Sequence, residues 1–190
     1  SGVTADAELL DKATNLKAIA RAGVGVDNVD LTKATENGIV VMNTPGGNTI
    51  STAEHTFGLM IALSRHIPQG HQSMAEERWD RKKFVGVELK GKTLGIIGLG
   101  RIGQAIAVRA QAFEMTVIAY DPYLPPEVAQ GINVELMEQD EVLVQSGYIT
   151  LHAMVTDETK NMINAESIAN MKDGVRIINA ARGALIHSAD

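Results

Sequence analysis

Gly98-Leu99-Gly100-Arg101-Ile102-Gly103 has the G-x-G-x-x-G form. It follows the apolar run Thr93-Leu94-Gly95-Ile96-Ile97 and opens a segment of helical spacing, the context in which this pattern carries meaning. There Gly98 permits a tight turn, Gly100 lets the backbone approach a pyrophosphate, and Gly103 lets the helix pack close on the strand. The helix N-terminus offers unpaired N–H groups and a positive dipole end to the phosphates. The fingerprint also needs an acid about 20 residues further on. Asp121 stands there, at the end of the next apolar run. Its carboxylate would accept from both ribose hydroxyls and repel a 2′-phosphate, and no Arg or Lys lies close to it in sequence. The expected cofactor is therefore NAD, not NADP. Alone, Asp121 also reads as a turn former before Pro122; with both halves present the dinucleotide reading is preferred.

These residues need a scaffold. From residue 93 the spacing predicts a strand over 93–97, a helix over 102–113 and a strand over 115–120. A proline break follows at Pro122, Pro125 and Pro126. A short strand over 132–134, a helix over 138–145, a strand over 148–151, a helix over 165–171 and a strand over 175–179 complete the pattern. This alternation is that of a parallel sheet with helices on both faces. Upstream, 7–18 has helical spacing and 21–28 is a glycine-punctuated turn. A short helix over 29–36 is ended by Asn37-Gly38, and a strand spans 39–42. Ser51 or Thr52 is expected to cap a helix that runs to about His66 and stops before Pro68. Residues 70–92 are polar and are expected as a solvated loop, with Trp79 and Phe84 tucked beneath its basic side chains.

The 190 residues include 23 acids and 17 bases, a net charge of -6. That balance argues against a nucleic-acid partner. The chain has no cysteine, which excludes disulfides, thiolate metal sites and a cysteine nucleophile. No stretch approaches the ~20 apolar residues of a membrane span, so no membrane partner is expected and a cytoplasmic home fits. No H-x-x-x-H run or carboxylate cluster suggests a metal. The chain opens with Ser1 and stops at Asp190 within a promising motif; it reads as an internal fragment.

The sequence resembles the D-2-hydroxyacid dehydrogenases. Four stretches carry the likeness: residues 21–30 (Arg-Ala-Gly-Val-Gly-Val-Asp-Asn-Val-Asp), 43–48 (Asn-Thr-Pro-Gly-Gly-Asn), 95–103 and 179–183 (Asn-Ala-Ala-Arg-Gly). Within the family it is most similar to the members that oxidise 3-phospho-D-glycerate to 3-phosphohydroxypyruvate with NAD, the first step of serine synthesis. The resemblance implies an α/β fold: a doubly wound parallel sheet forming a Rossmann-like NAD-binding domain, with part of a second, flavodoxin-like substrate domain. Residues 1–44 would be the end of the substrate domain, and 45–190 the NAD-binding domain, truncated before its last strands. It further implies that Gly23, Val24 and Gly25 offer N–H groups to an acidic substrate, with Val24 also beside the cofactor. Asn48 would lie by the substrate, Arg101 and Ile102 would meet the pyrophosphate, and His152 and Ala153 would lie on the adenine side. Ala180, Ala181 and Arg182 would pass under the nicotinamide, and a homodimer would form through the nucleotide domain. From the residues alone, Gly23 and Gly25 read equally well as a plain turn, Asn48 as a loop asparagine and His152 as a strand terminator.

Oxidising a 2-hydroxy acid needs a base for the hydroxyl proton and a cation for the carboxylate and the developing carbonyl. Arg182 suits the cation role because its planar fork grips a carboxylate at two points. The family's base is a histidine paired with a glutamate, both well downstream of that arginine. Among the histidines here, His55, His66, His71 and His187 offer no expected acid–base pair, so this chain alone is expected to turn over little or nothing. Two departures from the family pattern touch the cofactor domain: Glu114 stands where glycine is common, and Ala153-Met154 replaces Thr-Pro. Rival readings are a family member acting on glycerate, glyoxylate or lactate, and a non-catalytic NAD(H)-binding sensor module.

Overall fold

The computed structural model describes residues 3–190, and these divide into two compact units, 3–49 and Ile50–Asp190. In the first, α1 (Ala7–Lys12) and α2 (Leu31–Glu36) accompany a parallel pair of strands, β1 (Ala18–Ala20) and β2 (Val40–Met42). Leu10, Ala34 and Ile39 form its small core. Asp30 caps α2 by accepting the Lys33 N–H at 2.8 Å. Gly38 takes φ +66° just past the helix end, a left-handed step that glycine adopts without Cβ strain.

The second unit begins with α3 (Thr49–Arg65) and α4 (Ile67–Ala75). Both correct the sequence expectation. Ser51 and Thr52 lie inside α3 and do not cap it. Pro68 does not end the helical region but sits in the first turn of α4, where its missing N–H costs nothing. The break is His66, in the left-handed conformation at φ 53°. Trp79 is not tucked away; it is 78% exposed.

The sheet that follows contains β3 (Thr93–Ile97), β4 (Thr116–Tyr120), β5 (Glu135–Leu136), β6 (Tyr148–Leu151) and β7 (Arg176–Asn179). All are parallel, in the spatial order β5-β4-β3-β6-β7. The connecting helices are α5 (Arg101–Ala112), α6 (Pro126–Gly131), α7 (Gln139–Gln145) and α8 (Ala165–Ala169). The short strand lies at 135–136 and not at 132–134. The proline break holds a helix as well, α6, which starts where Pro125 and Pro126 supply helix-compatible φ angles.

Alternation along the strands divides the core between the two faces. Leu94, Ile96, Val117, Ala119 and Tyr148 pack with Phe57 and Met60 of α3 and Ile106 and Ala110 of α5. Ile97, Ile118, Ile149 and Leu151 pack on the other face with Val142 and Leu143 of α7. Each such fully buried aliphatic side chain is worth about 1.5–3 kcal/mol. Covered on both faces, the strands read as apolar runs, as buried parallel strands do. Chain order reverses between β3 and β6, and at such a switch point ligands bind outside the C-terminal strand ends of open α/β sheets.

Gly95 lies on the α7 side of β3. A Cβ there would stand 2.7 Å from Val142 Cγ1 and press on Ser146 Oγ. Gly95→Ala is therefore expected to lower stability by about 1–3 kcal/mol, read as a lower urea midpoint at unchanged slope. An unchanged midpoint would mean that α7 is free to lift off the sheet.

Candidate cofactor site

The glycine loop joins β3 to α5 across the switch point. Gly98 has φ +93°, and a Cβ on it would lie 2.8 Å from Ala153 N and from His152 C. Only glycine meets both demands. A Cβ on Gly103 would collide with the Gly98 carbonyl oxygen and reach within 3.2 Å of Ile96, so the third glycine brings α5 down onto β3. Gly100 differs: its Cβ position faces open space. It caps α5 with no side-chain hydrogen bond, leaving the first-turn N–H groups without a side-chain cap. An unobstructed backbone at the N-terminus of a three-turn helix suits a diphosphate.

Asp121, just past β4, is tied to this loop. Its Oδ2 accepts the Leu99 N–H at 2.8 Å and its Oδ1 accepts the Tyr123 N–H at 3.1 Å. A carboxylate has about four acceptor positions, so two remain for a ribose diol. The loop, α5 and Asp121 thus fit a dinucleotide lacking a 2′-phosphate.

On the far side of the switch point, His152 donates its N–H to the Ile97 carbonyl at 2.7 Å. Its Nε2 lies 2.8 Å from the buried Thr150 hydroxyl. Burial holds the imidazole down at about 4, so it is neutral near pH 7. Beyond β7, Asn179 accepts the Ala181 N–H at 3.0 Å and donates to the Arg182 carbonyl at 2.9 Å. Arg182 is exposed at this turn, and its Nη1 donates to the Ala181 carbonyl at 3.1 Å.

The structure therefore gathers Gly98, Gly100, Arg101, Ile102, Gly103, Asp121, His152, Ala153, Ala180, Ala181 and Arg182 at or just beyond the C-terminal ends of β3, β4, β6 and β7. Gly23, Val24 and Gly25 belong to the first unit. There the Gly23 carbonyl accepts the Thr44 N–H at 3.0 Å, and the Val24 carbonyl accepts from Asn43 Nδ2 at 2.8 Å. Asn48 lies on the loop that leads to α3. Sequence reasoning passed over Thr150, Asn179 and Arg21. The buried Arg21 Nε has no hydrogen-bond partner among the described residues. Its signal was a lone base opening a glycine-rich turn. His187 Nδ1 lies 2.9 Å from Asp190 Oδ2, and that carboxylate also accepts the Ala165 N–H at the start of α8. Among the described residues no cluster of three or more His, Asp or Glu could hold a metal, and no helix is long and apolar enough to cross a membrane.

The profile of the D-isomer specific 2-hydroxyacid dehydrogenase NAD binding domain matches residues 57–190. The chain belongs to that family, and NAD is the cofactor of this domain. It is 53% identical over 184 residues to a D-3-phosphoglycerate dehydrogenase of Archaeoglobus fulgidus, covering 97% of this chain and 35% of that protein. A Bacillus subtilis protein of the same name is 53% identical over 182 residues, with 96% and 35% covered. The chain thus spans about a third of the length of these curated relatives. Among solved structures, an Aquifex aeolicus D-lactate dehydrogenase complexed with NAD and lactic acid superposes with a TM-score of 0.90 at 35% identity, covering 98% of this chain and 56% of that one. A Paecilomyes thermophila glyoxylate reductase has a TM-score of 0.90 at 37% identity, covering 100% and 57%.

The His152 imidazole makes stability depend on pH. Between about 4 in the fold and about 6.5 when unfolded, only the unfolded chain binds the proton. Stability from this group is complete above the upper value and is lost as pH falls towards the lower. The melting temperature is expected to drop from pH 6.5 to 5, with a shallower slope in His152→Asn. Equal slopes would show that the imidazole is solvated. Asp11 and Asp80, held low by Lys33 and Lys83, act below this window.

Proposed function

We propose that this chain is the cofactor-binding part of a D-3-phosphoglycerate dehydrogenase, which oxidises 3-phospho-D-glycerate to 3-phosphohydroxypyruvate at the start of serine synthesis. The observation that carries the reading is the Asp121 carboxylate bonded to the Leu99 N–H of the glycine loop. One hydrogen bond there joins both halves of an NAD-selective site. Bound NAD supplies the hydride acceptor. The N–H groups at the head of α5, with Arg101 and Ile102, hold its pyrophosphate, and Asp121 its adenosine ribose. His152 and Ala153 wall the adenine side, and Ala180 and Ala181 support the nicotinamide.

Arg182 grips the substrate carboxylate and draws charge from the developing carbonyl. Gly23, Val24, Gly25 and Asn48 line the acidic substrate in the same reading, with residues 1–44 as part of a substrate domain. The high identity to proteins named for phosphoglycerate supports that substrate over glycerate, glyoxylate or lactate. In the same reading the 190-residue chain by itself binds cofactor and turns over little. A cytoplasmic setting belongs to the same proposal.

A homodimer through the second unit also follows. Leu59, Leu63, Ile67 and Met74 on α3 and α4 are exposed, as is Trp79, and exposed apolar side chains of this kind support an interface there. Trp79→Glu is expected to shift the sedimenting species from dimer towards monomer; an unchanged mass would remove this face from the interface.

Calorimetric titration tests the cofactor site. NADH is expected to bind and NADPH to bind far more weakly. Asp121→Asn should weaken NADH about tenfold, as loss of a charged acceptor does, and narrow the preference. Equal affinity of the unmodified chain for both would remove the role given to Asp121.

A further inference from the structure

The 180–182 loop is anchored at both ends. Upstream, Asn179 is the last residue of β7 and pairs with Leu151 of β6. Downstream, Leu185 is fully buried, and its carbonyl accepts the Ile163 N–H at 3.1 Å. Between these anchors the Asn179 side chain spans the turn. Its Oδ1 takes the Ala181 N–H at 3.0 Å and its Nδ2 gives to the Arg182 carbonyl at 2.9 Å. The Leu185 N–H reaches the same carbonyl at 3.2 Å.

We infer that Asn179 is a positioning residue: it sets the nicotinamide-side loop, and through it Arg182, without touching cofactor or substrate itself. The inference rests on the cofactor reading above. Asp121 places the adenosine half on the β4 side of the switch point, so the dinucleotide runs across it towards β6 and β7. The amide is needed in one orientation, because an N–H faces one of its atoms and a carbonyl oxygen faces the other. Aspartate has the same shape but only acceptors. At Asn179 it would keep the bond to Ala181 and turn the contact with the Arg182 carbonyl into oxygen against oxygen.

The test is titration of the whole chain and of Asn179→Asp with NADH and with ADP-ribose, which carries the diphosphate and both riboses but no nicotinamide. Asn179→Asp is expected to weaken NADH about tenfold, the scale of one hydrogen bond turned repulsive, and to leave ADP-ribose within about twofold. A residue that merely stabilises the fold would lower the melting temperature and leave the ratio of the two affinities unmoved, and that outcome overturns the inference. If Asn179→Asp is unfolded at the assay temperature, Asn179→Ala removes both side-chain bonds without adding charge, and the same ratio is read. An unmodified chain that binds neither ligand sinks the cofactor reading and this inference together. An unmodified chain that binds both, with a variant whose ratio is unchanged, sinks this inference alone.

Discussion

The backbone at Gly98 approaches the peptide between His152 and Ala153 so closely that no side chain fits between them. That approach is what joins the two halves of the sheet at its functional end. β3 and β6 are neighbours, yet β4 and β5 come between them in the chain. Their C-terminal ends can meet only if the turn after β3 carries no Cβ on the β6 side. The left-handed φ of Gly98 then aims the chain into α5, and Gly103 lets that helix settle on the strand it has just left. A single methyl at either place would push α5 or the β6 loop outward, and with it the groups that face the diphosphate. The absence of side chains here is as structural as the packed isoleucines beneath.

Around that contact, a few polar side chains each hold a loop by serving backbone groups. Asp121 ties the glycine loop to the turn after β4, Asn179 closes the turn after β7, and Thr150 holds the His152 ring. Loops after parallel strands lack a ladder partner for their N–H and C=O groups, and partly buried ones need a substitute. Side chains that meet this need also fix where neighbouring functional groups point. Binding geometry and loop stability therefore rest on the same hydrogen bonds.

Much of this was legible in the sequence. The strands of the main sheet are apolar because both faces are buried, and glycine, proline and asparagine punctuate them where the chain must turn. Less legible was Glu114, which takes the left-handed conformation at φ 57° although it is not glycine. The errors have physical causes. A proline inside a polar stretch reads as a stop, but Pro68 and Pro126 sit in helix first turns, where no donor is needed. Trp79 reads as buried because of its size, although single large apolar side chains are common at protein surfaces.

The sequence by itself determined the cofactor loop, the acid that complements it and the α/β order, because these depend on local spacing and on backbone freedom written residue by residue. Only the tertiary structure decided which residues meet across the switch point. The hydrogen bond between Asp121 and Leu99, the seating of His152 against Gly98, the bridge made by Asn179 and the unsatisfied Arg21 nitrogen each depend on how separate stretches of chain pack. No spacing rule encodes that placement, since it is set by the sum of many burial and hydrogen-bond terms over the whole fold.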